Sequence, residues 1–241
     1  MRTLPSAGLV LLSLLAGRCS NEPGIPGDRS AVPIDDSVFA LVPFPIVDDN
    51  VHHDTLAVQV TFDMANGQYM MVASNMEDTF EGLRLIHYAL SPDGSADVRA
   101  VSPPAYDSWT MLPTFFRDPG DPGHYFILAN FGEKQSWGQK LLWLDHAFTD
   151  LGFLDVALPT HATEGDSTFL KRGNIAPFAR LQGSRDALSI SFTCDSIFLY
   201  DDQEGHQDLV LPAASVRYTY RSDEGLALWL NGRKQPVKKP A

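Results

Sequence analysis

The chain has 241 residues, 44% of them hydrophobic and 20% charged, with a formal net charge of −12. This is the composition of a globular chain with one ordinary domain or two small ones, and it excludes the low-hydrophobicity, high-charge signature of disorder. The acidity speaks against nucleic acid as a partner, because a duplex-binding surface needs a basic footprint; it leaves solvation, a cation site or a cationic partner as uses for the carboxylates.

Residues 1–20 read as a secretion signal: Arg2 supplies the positive start, and Ala7 to Ala16 is an apolar run too short to span a bilayer as a helix. Gly17-Arg18-Cys19-Ser20 closes it, and the segment resembles a bacterial lipoprotein signal, in which the cysteine carries lipid. Arg18 stands where that pattern has a small residue, so lipid attachment at Cys19 and simple cleavage nearby are both open, and membrane contact is expected only through such an anchor. The expected location is exported: periplasmic, anchored to the outer membrane, or extracellular. Residues 21–33, rich in Pro, Gly and Ser, read as a linker. Residues 34–232 show no composition break and read as one domain, and 233–241 as a basic tail. Cys194, within an alternating apolar run, is expected to be a small core residue.

Helical periodicity is nearly absent. Alternating runs recur between Gly, Pro, Asn and Asp turns, for example Val58–Phe62, Tyr69–Ala73, Tyr125–Ala129 and Leu188–Phe192. The runs repeat. Gly67-Gln68-Tyr69-Met70-Met71-Val72-Ala73 matches Gly123-His124-Tyr125-Phe126-Ile127-Leu128-Ala129, and Leu83, Ala89, Gly94, Asp97 and Val98 align without a gap with Leu141, Ala147, Gly152, Asp155 and Val156. A third copy aligns Gly152, Asp155, Leu158 and Pro159 with Gly205, Asp208, Leu211 and Pro212, giving a period of roughly 53–58 residues, near that of propeller blades.

The first unit is predicted as strands over Leu56–Asp63, Tyr69–Met76, Leu83–Ser91 and Val98–Ser102. The second takes Thr110–Arg117, Tyr125–Phe131, Lys140–Thr149 and Phe153–Leu158. The third takes Asn174–Leu181, Ala187–Cys194, Ile197–Asp202 and Asp208–Leu211. A fourth, truncated unit takes Ser215–Arg221 and Gly225–Leu230. Val38–Val42 resembles an outer strand that would complete the last C-terminal blade and so remove exposed edges. The expected fold is all-β, a small β-propeller of four or five blades closed by this N-terminal strand, with a β-sandwich as the alternative.

On that reading the loops 45–55, 103–109 and 159–173 emerge on one face, together with Glu77, Asp78, Glu133 and Trp137. The densest cluster is Asp48-Asp49-Asn50-Val51-His52-His53-Asp54. Carboxylates and imidazoles are the ligand types of divalent cations, but the spacing matches no EF-hand loop, zincin helix or Cys/His site, so no cofactor is assigned. Trp109 and Trp137 fall in or beside these loops and suit ligand stacking, whereas Trp143 and Trp229 lie in strands and are expected in the core. Asp48, Asp49, His52, His53, Trp109, Trp137, His161 and Asp166 are the candidate ligand-binding residues, for a protein or carbohydrate at the cell envelope.

Asp54, Asp107 and Glu164 occupy repeat-equivalent positions just before the first strand of each unit. Three convergent carboxylates supply the base, the acid and the tuner that glycoside hydrolysis needs. The set resembles the five-bladed propeller glycosidases that cleave arabinans, xylans and fructans, whose acid often lies in a Glu-Gly pair like Glu164-Gly165. Phe116-Arg117-Asp118-Pro119 is similar to the Arg-Asp-Pro motif of invertases and levansucrases, although only Asp118 to Pro122 stand between Arg117 and Gly123, where those enzymes place another strand. This resemblance covers scattered short motifs and implies a catalytic role for the three carboxylates as the alternative to a non-catalytic binding or scaffold module. No Gly-x-Ser-x-Gly elbow and no phosphate-binding glycine loop before a helix occurs, and His146 beside Asp145 reads as a strand histidine with its needs met.

Overall fold

The computed structural model describes residues 37–51, 53–76, 82–105, 111–132, 137–200 and 208–235, within a compact unit spanning Pro33–Ala241. Its strands in chain order are β1 (Ala40–Val42), β2 (Ile46–Val47), β3 (Leu56–Asp63), β4 (Gln68–Asn75), β5 (Arg84–Leu90), β6 (Ala96–Val101), β7 (Leu112–Arg117), β8 (Tyr125–Gly132), β9 (Trp137–Leu144) and β10 (Phe148–Leu154). There follow β11 (Val156–Glu164), β12 (Ser167–Gly173), β13 (Ala179–Gly183), β14 (Ala187–Phe192), β15 (Ser196–Tyr200), β16 (Asp208–Pro212), β17 (Val216–Arg221), β18 (Gly225–Leu230) and β19 (Arg233–Lys234). Two short 3-10 turns, at Ala176–Phe178 and Ala213–Ser215, lead into β13 and β17. The fold is all-β. Among the described residues no helix is long and apolar enough to cross a membrane.

All strand pairs are antiparallel and form four sheets: sheet I, β2-β3-β4-β5-β6; sheet II, β1-β7-β8-β9-β10; sheet III, β12-β11-β15-β16; and sheet IV, β13-β14-β17-β18-β19. Sheet I is a meander and sheet II is the meander β7–β10 with β1 added beside β7, and the matching segments Gly67–Ala73 and Gly123–Ala129 run into β4 and β8, the third strand in the order of each sheet. Sheet II is the middle layer. Phe115, Tyr125, Ile127, Ala129, Leu142 and Leu144 pack against Phe62, Met70, Val72 and Leu85 of sheet I. The alternate residues Phe116, Phe126, Leu128, Leu141 and Trp143 join Leu181, Leu188, Ile190, Ile197, Leu199 and Tyr218 of sheets III and IV. Both faces of sheet II are thus buried, which is why β8 reads as a continuous apolar run.

Among the described residues the outer face of sheet I, carrying Met71, Ala73, Ile86 and Tyr88, is not covered by another sheet; Val51 of the preceding chain packs on it. The four sheets remain separate, each with its own edges.

Four expectations are corrected. The third predicted unit is not one sheet: β13 and β14 pair with β17 and β18, whereas β15 and β16 pair with β11. Strands of sheets III and IV bury their apolar faces in the same core, so their alternation does not reveal which sheet each joins. The N-terminal strand does not complete one terminal sheet. Val38 bridges Gln182 of β13 while β1 pairs with β7, so residues 37–42 strap sheet IV to sheet II. The predicted loop 159–173 is a ribbon, with β11 and β12 paired from Leu158↔Gly173 to Glu164↔Ser167. Gly165 at φ 59° takes the first central position of its two-residue turn, the place type II′ reserves for glycine. Lastly, Lys140–Thr149 is two strands, broken at Asp145-His146-Ala147, where Asp145 Oδ1 accepts the Ala147 N–H at 3.1 Å. Past Leu230, Asn231 and Gly232 (φ 49° and 75°) form a hairpin turn with both central φ values positive, and Arg233–Lys234 add a short strand to sheet IV.

Candidate functional site

The 48–54 segment lies across the outer face of sheet I. Val51 packs against the buried cluster of Met71, Ala73, Ile86 and Tyr88, which fixes the middle of the segment. Beside it the Tyr88 hydroxyl donates to Asn50 Oδ1 at 2.6 Å, and Tyr88 stacks on Tyr69 with ring centroids 5.4 Å apart. His53 Nε2 pairs with Asp49 across one turn of chain, while His53 Nδ1 is buried without a hydrogen-bond partner. Burial, and then the Asp49 charge, push the Tyr88 hydroxyl up to about 12, so it stays protonated and remains a donor to Asn50 at neutral pH. The segment is therefore a held polar surface: Asp48, Asp49 and Asp54 are exposed, and Asn50 and His53 are half-buried and bonded.

Of the remaining candidates, the described residues His161, Glu164 and Asp166 stand on another sheet. Glu164 ends β11, and His161 and Asp166 are exposed on the same ribbon, which belongs to sheet III. Asp54 precedes β3 in sheet I as expected, but Glu164 stands within a hairpin rather than ahead of the first strand of a unit. His52, Asp107, Trp109, Glu77, Asp78 and Glu133 lie outside the described residues, and Trp137 opens β9. Asp118, the acid of the invertase-like tetrapeptide, accepts the Gly120 N–H at 2.7 Å, so its carboxylate shapes the β7–β8 turn. Among the described residues no group of three or more His, Cys, Asp or Glu side chains is placed to hold a metal ion.

Asp145 is likewise a turn residue. It accepts the Ala147 N–H, the Trp143 indole N–H at 3.3 Å and an Arg185 N–H at 3.2 Å. Burial raises its pKa, but the Ala147 and His146 amides, the indole and the guanidinium outweigh this and hold the carboxyl below the usual range. His146 is exposed, with its ring 6.4 Å from that of His124. Trp143 is core, as expected. Cys194 is half-buried against the core, and burial, helped by the nearby Asp195 charge, pushes its thiol pKa up, which makes it a poor nucleophile.

Two features escape a sequence reading. The first is a chain of buried amides. Gln139 Nε2 donates to Asn130 Oδ1 at 3.1 Å and to Asn174 Oδ1 at 3.2 Å, and Asn174 Oδ1 also accepts the Ala176 N–H at 3.0 Å. The backbone donor fixes the polarity of the chain, so both Gln139 amide hydrogens are used, and Asn130 Nδ2 and Gln139 Oε1 are left without partners. Asn and Gln in strands carry no spacing signature that would announce such a contact. The second is Trp229, expected in the core. Leu228 and Leu230 face the core, so Trp229 points to the opposite, outward face of sheet IV. There its indole donates to Thr219 Oγ1 at 2.8 Å, with Arg217 over its ring at 5.5 Å. The alternation of β18 was available to place it.

Comparison with protein-family models, with curated proteins and with solved structures gives no match.

Proposed function

We propose that the chain is an exported, non-catalytic binding or scaffold module of the cell envelope, held by lipid at Cys19 or released by cleavage near it. Its domain is propeller-like: meanders stack face to face as blades do, and the 48–54 segment caps the outermost sheet where a closed ring would place another blade. The ligand, a protein or a carbohydrate, meets the surface of Asp48, Asp49, His53 and Asp54. The observation that carries this reading is the pinning of that segment: the Tyr88–Asn50 hydrogen bond and the Val51 contacts hold a polar surface in one conformation. Preorganised surface of this kind favours binding because less order has to be imposed on association.

The test has two parts. The full chain carrying a C-terminal tag is expressed in a bacterial host and fractionated; a tag that stays with the cytoplasm refutes export, and Cys19→Ala distinguishes lipid attachment from cleavage by the mass of the mature chain. The mature chain is then bound to cell-envelope fractions beside the pair Asp49→Asn and His53→Ala. A loss of about tenfold or more supports the segment as the site; unchanged binding removes it.

A further inference from the structure

The outward face of sheet IV differs in charge from the rest of this acidic chain. Its core side carries Leu181, Leu188, Ile190, Tyr218 and Leu228. Strand alternation then turns Arg180 and Gln182 of β13, Ser189 and Ser191 of β14, Arg217, Thr219 and Arg221 of β17, Ala227 and Trp229 of β18, and Lys234 of β19 outward. Four of these ten residues are cationic and none is acidic, in a chain with 30 Asp and Glu against 18 Lys and Arg. Two of the cations are neutralised locally: Arg221 pairs with Asp223 at 3.2 Å, and Lys234 pairs with Glu224 at 2.7 Å. Arg180 and Arg217 are exposed and form no ion pair among the described residues.

The register sets these two arginines in one row. Arg180 is opposite Ser191, and Arg217 is opposite Trp229, which is opposite Lys234. Ile190 is opposite Tyr218, which puts Ser191 beside Arg217. Strands lie about 4.8 Å apart, so the two unpaired guanidinium-bearing strands are roughly 10 Å apart, with small serine side chains between them. The row continues over the Trp229 ring, which is held by its bond to Thr219.

We infer that this row binds an acidic polysaccharide, a chain of uronic-acid sugars lying across the strands of sheet IV. Guanidinium groups take carboxylates in two-point hydrogen bonds, and an indole fixed on a flat surface stacks against the apolar face of a sugar ring. A flat face with spaced charges suits an extended polymer rather than a compact ligand. Among the described residues the exposed large apolar side chains bordering the face are Val38, opposite Gln182, and Phe178, two residues before Arg180, which is too little apolar surface for insertion among lipids. The net charge of −12 opposes any polyanion at long range, and opposes a phosphate-dense nucleic acid more than a polymer with one charge per sugar. The site is separate from the 48–54 segment on sheet I and does not rest on it.

The test is binding of the mature chain to polygalacturonate, to a neutral glucan and to polyglutamate, by calorimetry at low and at raised salt. The expected result is binding to polygalacturonate that weakens with salt and is absent for the neutral glucan. The pair Arg180→Glu and Arg217→Glu is expected to weaken it about tenfold or more. Both side chains are exposed and form no ion pair among the described residues, and Arg217 gives up only its place over the Trp229 ring, so the fold is retained, which unchanged urea unfolding verifies. Trp229→Phe, which keeps a ring, is expected to weaken binding less than the charge reversal. No binding to polygalacturonate at low salt overturns the inference, as does binding indifferent to the charge reversal. Equal or tighter binding to polyglutamate also overturns it and assigns the row to an acidic polypeptide. Asp49→Asn with His53→Ala is expected to leave polygalacturonate binding unchanged, so failure of one surface is read separately from failure of the other.

Discussion

Gly82 is where the backbone of this protein tolerates a side chain least. An ideal Cβ there would stand 1.7 Å from the carbonyl oxygen of Ala105 and 2.8 Å from its carbon, at a φ of +94° that L-residues rarely adopt. Ala105 cannot simply yield: it is fully buried, and its N–H donates to the Leu83 carbonyl at 2.7 Å. Gly82→Ala therefore has to move one of two backbones by more than an ångström. The backbone conformation alone costs about 1–2 kcal/mol, the strained or lost hydrogen bond about 1 kcal/mol, and repacking around Leu83 and Ala105 about 1–3 kcal/mol. The expected loss is about 3–6 kcal/mol, which at a urea slope of about 2–3 kcal/mol/M lowers the midpoint by about 1 M or more. Gly94→Ala is the control. Gly94 has a similar φ of +82° but nothing within 4 Å of its ideal Cβ, so only the conformational part remains, about 1–2 kcal/mol. Equal losses for the two variants in urea unfolding would refute the steric argument.

Asp145→Asn is expected to cost about 2 kcal/mol at pH 7, from hydrogen bonds to a charged acceptor. The carboxyl's pKa is depressed in the fold, so its contribution is present above the unfolded value and lost as pH falls through the folded one; melting curves of variant and wild type should converge as pH falls below the ordinary carboxylate value of 3.8. Tyr88 has the opposite sign. Its pKa is raised to about 12, so its contribution is complete below the ordinary value of 10.0 and is lost as pH rises through about 12, and Tyr88→Phe should unfold less steeply in alkali. Ala65 sits at φ 70° in the β3–β4 turn, so Ala65→Gly should raise stability by up to about 1 kcal/mol in urea unfolding.

Strands β3 to β6 of sheet I and β7 and β8 of sheet II were legible because they are neighbours in sequence as well as in the sheet, between turns with strong local chemistry, such as the Asp118–Gly123 turn held by Asp118 and Asp121. Sheets III and IV were not, because Thr193–Asp195 carries the chain from one sheet to another without a change in pattern. Thr193 N–H bonds to the Phe178 carbonyl on one side, and the Asp195 carbonyl accepts from Ala213 N–H on the other; local sequence signals neither. The β11–β12 ribbon read as a loop because its residues Thr160 to Leu170 are polar or exposed on both faces, and the buried-face alternation that marks a strand is missing. At the site, the polar residues of the 48–54 segment stood out by composition, but Val51, which fixes the segment to sheet I, is an unremarkable valine between polar neighbours. Tyr88 is 38 positions away from Asn50 in sequence, and no local pattern links them.

The strap at residues 37–42 gives a test of whether sheets II and IV unfold together. Phe39 is 4% exposed and meets Phe126 of sheet II edge-on at 4.7 Å between centroids. Its N–H bonds to the Leu181 carbonyl of sheet IV at 3.0 Å, and the Gly183 N–H bonds to the Ser37 carbonyl at 2.8 Å. One residue thus reaches into the shared core from the backbone of one sheet and the side chain of another. Phe39→Ala removes a buried ring, at a cost of about 3–5 kcal/mol. If the core shared by sheets II, III and IV is one cooperative unit, the whole loss appears as a shift of a single transition, seen alike by far-ultraviolet circular dichroism and by tryptophan fluorescence from Trp143 in sheet II and Trp229 in sheet IV. If the sheets are only loosely coupled, the ring is lost from a local contact: the fluorescence change separates from the main unfolding, and two transitions appear. The packing of Phe126, Leu181, Leu188 and Ile190 into one cluster predicts the first outcome, and a second transition would show that the strap joins units that can come apart.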